Sequence, residues 1–263
     1  MRTVLPCLCA ALVAAELAPA GAAAAAQGSG DQLAVATSAA AADTFEEPKK
    51  KSTWDGEGEL GVIVTSGNTK TSSINAKLKF DNERPRWRNH IGAEYLRTSE
   101  SSVTTAERYV VAGKSDYKLD EVNYLVGTLR YENDRFAGFT YRVSESVGYG
   151  HRFVNTDTMV FETEIGAGGR QTKFLDGTRD NEAIARVAAK YSWKFTPTSE
   201  FSEAAFSEIG QSNTHSESET SLKLKMNAKL AMKLSVLVKH DTQVPVDKVK
   251  TDTLTSINLV YDF

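Results

Sequence analysis

From Gly56 to Phe263 apolar residues recur at every second position, and any fold of this chain must satisfy that period over about 200 residues. Ile74, Ala76, Leu78 and Phe80 alternate with Asn75, Lys77, Lys79 and Asp81, and Leu222, Leu224, Met226 and Ala228 alternate with Lys223, Lys225, Asn227 and Lys229. The same scheme runs through 183–194 and 256–263. Turn-forming residues interrupt it at 66–69, 83–86, 99–105, 119–121, 136–140, 155–157, 174–181, 196–198, 212–216, near Ala231 and Met232, and at 242–249. These breaks divide the body into about twelve strands of around ten residues. Pro85, Pro197 and Pro245 all fall inside them, as strands hydrogen-bonded on both sides require.

Residues 27–263 contain no apolar run of the ~18 residues that a spanning helix needs, but strands of this length cross a bilayer when tilted. In hydrocarbon every backbone amide must be paired, so an all-strand chain must close on itself. The expected fold is therefore all-β: a transmembrane antiparallel β-barrel of about twelve strands, greasy row to lipid and ionic row to the lumen. A soluble sandwich or lipocalin-like barrel shows the same alternation with the apolar row turned inward. Two features favour lipid: strands recur without an intervening helix, and Phe263 ends the chain as an aromatic completing an alternating strand.

Composition removes several alternatives. Lys and Arg number 31 against 34 Asp and Glu, a net charge of -3, so no basic stripe exists for nucleic acid. Both cysteines, Cys7 and Cys9, precede residue 10, which rules out a disulfide framework. Arg2 followed by an uncharged run to Ala15 and small residues to Ala26 reads as a signal peptide over 1–26, cut at an Ala-x-Ala site such as Ala24 to Ala26. Residues 27–53, with Pro48 and the run Lys49, Lys50, Lys51, read as a flexible periplasmic leader, and 54–263 as the barrel.

Gly58-Glu59-Leu60-Gly61 leading through Thr65-Ser66-Gly67-Asn68-Thr69, then Thr105-Ala106-Glu107-Arg108-Tyr109, Lys114-Ser115-Asp116-Tyr117, Leu129 through Phe136 and Gly148-Tyr149-Gly150, resemble the salt-induced outer-membrane proteins. That is a domain-of-unknown-function family of Gram-negative bacteria. The resemblance covers about Gly56 to Phe263 and implies location and fold rather than chemistry. One departure is Glu145, on the lipid-facing register between Val143 and Val147: either the register shifts there or the residue lies near an interface.

The inward row assigns Lys77, Lys79, Glu94, Arg130, Glu132, Glu164, Arg186, Lys190, Lys223 and Lys225 to the lumen, where they line a conduction path or pair and plug it. Ile257, Leu259, Tyr261 and Phe263 form the expected C-terminal signal for the outer-membrane assembly machinery, which with lipid and small solutes or ions makes up the expected partners. Trp54, Trp87, Trp193, Tyr95, Tyr149 and Tyr261 suit aromatic girdles. No catalytic residue, metal or cofactor is assigned. His240 with Thr242 is the nearest approach to a nucleophile and base, and a strand-end histidine beside a turn explains it more simply. The 176–180 loop lacks the distal Glu of a calcium loop, and no helix follows Gly166 to Gly169 to aim amides at a phosphate. The expected role is non-enzymatic, a narrow passive conduit or structural envelope component in the outer membrane, with an outer-membrane hydrolase, phospholipase- or protease-like, as the alternative.

Overall fold

The computed structural model describes residues 53–64, 71–101, 103–134, 136–245 and 248–263. The regions read as signal peptide and leader, with both cysteines and the lysine run, lie outside the described residues, as does the break at 66–69. Twelve antiparallel strands follow one another: β1 (Thr53–Val64), β2 (Thr71–Glu83), β3 (Trp87–Glu100), β4 (Val103–Lys118), β5 (Asn123–Asp134), β6 (Phe139–Asn155), β7 (Met159–Phe174), β8 (Arg179–Thr196), β9 (Ser199–Gly210), β10 (Thr214–Lys225), β11 (Leu230–Asp241) and β12 (Thr251–Asp262). Each pairs with its neighbours in sequence, and β1 pairs with β12, so the sheet closes into a barrel. Gly56 and Phe263 exchange both backbone hydrogen bonds at 2.9 Å across that seam, which puts the two ends of the barrel sequence on one rim.

The alternation decides which residues form strands, but the strands exceed the expected ten residues, running from 12 to 18. Several hairpins continue past the apolar band on polar residues such as Ser99, Glu100, Lys173 and Arg179. The breaks expected at 99–105 and 174–181 therefore contract to the tips of long hairpins, with Ser101 and Gly177 at positive φ. The bend expected near Ala231 and Met232 lies instead just before β11. There the Asn227 Oδ1 accepts the backbone N–H groups of Lys229 and Leu230, each at 2.9 Å, so a side chain makes the turn without Gly or Pro.

Polarity is inverted relative to a soluble barrel. Val147 is 73% exposed on the outer wall, whereas Glu132 is 0% exposed within. Leu60, Leu78, Ile91, Leu129, Ile165, Ile257 and Leu259 share the outer row, and Glu59, Lys77, Arg170, Glu217, Lys233 and Asn258 are buried inside. A sandwich or lipocalin-like globule cannot expose that row to water, so the chain is a transmembrane β-barrel. Trp54, Trp87, Tyr149, Trp193 and Tyr261 are exposed toward the rim that carries Phe263, while Tyr95 packs on Tyr109 at 4.9 Å and Tyr131 on Tyr141 at 6.4 Å toward the other. No register shift occurs at Glu145, which pairs with Leu129 on one side and Gly169 on the other and points outward. The shift alternative is thereby closed.

The Gly166 to Gly169 stretch serves close packing. A Cβ on Gly168 would lie 2.7 Å from the Ser146 Cα across the ladder, so β6 and β7 reach this separation only because the position has no side chain.

Candidate functional site: an ion-paired lumen

In a ring of twelve, strands six places apart face each other, and β4 faces β10 as β5 faces β11. Across these diameters the ionic side chains bond directly. Arg108 on β4 donates from Nη2 to the Glu217 Oε1 on β10 at 2.9 Å, and Lys239 on β11 donates to the Glu132 Oε1 on β5 at 2.9 Å. Arg108 also donates from Nε to Glu132 at 2.6 Å, and Arg130 to Glu217 at 2.8 Å, which joins both pairs into one bar. A circular ring of strands about 4.8 Å apart and tilted about 40° would be roughly 24 Å across, farther than two such side chains reach. The section is therefore flattened here, with β4 and β5 drawn toward β10 and β11.

The bar continues toward the rim opposite Gly56 and Phe263. His215 bonds Glu217 at 3.2 Å and Asp241 at 3.1 Å, and Arg142 on β6 donates to the same Asp241 oxygen at 3.1 Å. Sequence reasoning placed His215 in a loop, but it lies on β10, 1% exposed, because the connection shortens to 211–213. Toward the other rim, Lys77 donates to Glu219 at 2.7 Å, Lys233 bridges Glu59 and Glu219 at 3.0 and 2.8 Å, and Lys79 bridges Glu57 and Glu59 at 3.0 and 2.8 Å. Lys223 joins Glu57 at 2.6 Å and Asp262 at 2.8 Å. On the far wall Arg88 links Asp116 and Glu162, and Glu164 accepts from Lys114 and from Arg186, the latter at 3.1 Å.

The structure thus brings eight of the ten residues assigned to the lumen into these pairs: Glu94 lies 3.5 Å from Arg108, and the other seven are named above. Lys190 is exposed and lines a lumenal chamber of about 430 Å³, and Lys225 is exposed at the strand end near the rim. Residues that sequence reasoning omitted, Arg108, Glu217, Lys239 and Asp241 among them, carry the bar itself. Their inward phase was readable, since Arg108 is one residue off the outward Tyr109. Their partners were not, because those lie across the barrel.

Other chemistries find little support. Glu132, His215 and Glu217 present ligand atoms within 4.8 Å of one another, but Arg108, Arg130 and Lys239 already hold those carboxylates, and a cation would meet three positive groups. His240 bonds the Thr251 Oγ1 at 2.8 Å, while Thr242 donates to Asn213 at 3.1 Å, so the two groups weighed as a base and nucleophile are engaged separately. In the 175–178 turn the Thr178 hydroxyl and N–H both donate to Asp176, holding its carboxyl below the usual range and leaving it committed to its own turn. Ile257, Leu259, Tyr261 and Phe263 all lie exposed on the outer wall.

Among relatives, the uncharacterized protein YdiY of Escherichia coli (strain K12) is 28% identical over 217 residues, covering 80% of this chain and 84% of that one. The NanC porin is similar in structure at a TM-score of 0.45 and 11% identity, covering 80% of this chain and 98% of that one. The translocator domain of the autotransporter NalP from Neisseria meningitidis has the same TM-score at 12% identity, covering 80% and 88%. At this distance no solute or cargo is carried over. A family model described as "Protein of unknown function, DUF481" matches residues 58–263, nearly the whole barrel, and that description names neither an activity nor induction by salt. The chain belongs to this family.

Proposed function

We propose that this is a non-enzymatic outer-membrane barrel that is closed at rest, a structural envelope component whose lumen is filled by ion pairs and admits at most a narrow passage. The observation that carries this reading is the direct bonding of opposite walls, Arg108 to Glu217 and Lys239 to Glu132. An open porin keeps its lumenal charges apart and hydrated, whereas here most are buried against a partner. The outer membrane is favoured because barrels with an exposed apolar wall and aromatic girdles belong there. An export signal over 1–26, a leader over 27–53 and recognition of the C-terminal row by the assembly machinery are part of the same proposal.

Planar-bilayer recording on the refolded barrel tests it. Silence, or steps far below those of a general porin, is expected at all salt concentrations. Large steady ohmic steps would overturn the closed reading in favour of an open conduit. The hydrolase alternative draws no support from His240 and Thr242, whose bonds lead elsewhere.

A further inference from the structure

We propose that the mouth opposite the rim of Gly56 and Phe263 holds a binding site for a small zwitterion, with the ligand's carboxylate on Arg142 and its ammonium group on Asp180. A cavity of about 480 Å³ opens there between β6, β7 and β8 and the 242–245 segment, within the range of small-molecule sites. That segment is tied over the mouth: the Gln243 N–H donates to the Asn213 Oδ1 at 3.0 Å, and Thr242 donates to the Thr214 carbonyl at 3.0 Å.

Arg142 lines this cavity with its side chain only 8% exposed. One guanidinium nitrogen, Nη2, donates to Asp241, and the group lies 4.4 Å from the centre of the Phe139 ring. Its Nε and Nη1 are buried without a hydrogen-bond partner. Buried guanidinium hydrogens are normally satisfied; Nε and Nη1 point to different edges of the group, and an oxyanion in the adjoining cavity can bond one of those edges with charge as well as geometry.

The acid that completes the site is placed by the register. Arg142 pairs with Thr172, and Thr172 with Asp180, so the two charged residues stand two strands apart on one ladder line, about 10 Å between backbones. Among the described residues Asp180 has no ion pair, whereas its neighbours are taken: Glu182 by Arg170 at 2.5 Å and Asp176 by its own turn. Lys248 and Arg170 also line the cavity, the latter held by Glu182, and a doubly charged anion such as phosphate would still face all three carboxylates. A ligand with one negative and one positive group meets complementary charge at both ends.

The refolded full-length barrel in detergent micelles is titrated calorimetrically with L-alanine, propionate, ethylamine and inorganic phosphate. Propionate lacks only the ammonium group of alanine, and ethylamine only its carboxylate. Saturable binding of alanine is expected, with the other three at least tenfold weaker. Arg142→Gln should abolish alanine binding, and Asp180→Asn should reduce it to the level of propionate. If Arg142→Gln fails to refold by circular dichroism, Asp180→Asn decides the matter. The proposal is overturned if alanine gives no saturable heat, if propionate or phosphate binds as well as alanine, or if Asp180→Asn leaves alanine binding unchanged. The readout is independent of conductance, so the closed-barrel reading stands or falls separately.

Discussion

Glu132 shows what single residues contribute to the lumen. It is fully buried and bonded by Arg108 and Lys239, so Glu132→Gln leaves two buried cations short of a counter-charge. Breaking such a pair from one side costs about 3–5 kcal/mol, although replacing a whole buried network with apolar groups of matched volume is often neutral. Urea unfolding in lipid vesicles should show the midpoint of Glu132→Gln falling by a corresponding amount, with Glu132→Asp intermediate. Glu145 should respond in the opposite sense. It faces outward with Val143 and Val147 beside it and Tyr141 and Tyr149 beyond, so Glu145→Val removes a carboxylate from the apolar band. A gain on the order of 1 kcal/mol is expected in the same assay.

At the scale of elements, side-chain turns and one tight strand contact set the hairpins. Asn227→Ala removes both bonds that close the β10–β11 turn and should lower stability by about 1 kcal/mol, while Asn227→Asp, which keeps the acceptor, should retain most of it. In the β4–β5 turn Asp120 accepts from the Asn123 side chain and from the N–H groups of Val122 and Asn123, and these bonds hold its carboxyl below the usual range. Because the folded value is depressed, the contribution is complete above the unfolded pKa of about 3.9 and is lost as pH falls through the folded value. Amide protection at Val122 and Asn123, taken as exchange relative to the intrinsic rate at each pH, should therefore fall only in strong acid, and Asp120→Asn should flatten that dependence. Gly168→Ala has no room against the Ser146 Cα and should cost about 1–3 kcal/mol or block assembly, which heat-modifiable gel mobility detects.

The whole molecule is governed by its flattened section. If ion pairs between opposite walls hold it shut, removing one of the two cross-wall pairs should loosen it. The double variant Arg108→Ala with Glu217→Ala should produce conductance steps in a planar bilayer where the parent barrel is silent. High salt alone should open the parent little, because pairs buried to this degree are weakly screened. A double variant that refolds and stays silent would show that other side chains close the lumen.

Which residues face outward was legible from the sequence, because a strand's side chains alternate strictly and only one of its two rows can meet lipid. The closed all-strand topology, the phase of Lys77, Glu132 and Lys223, and the outward place of Trp87 and Ile257 all follow from that period. Turn positions were legible at Pro85, Pro197 and Asp120, where the alternation stops, and were missed at Asn227, where the apolar alternation runs on through Met226 and Ala228. The lumen itself was beyond such reading. Arg108 and Glu217 stand 109 residues apart, and nothing local to either records that their strands lie six places apart in a closed ring. A period of two residues fixes the side of a wall on which a charge stands, and only the closure and flattening of the ring determine which opposite charge it meets.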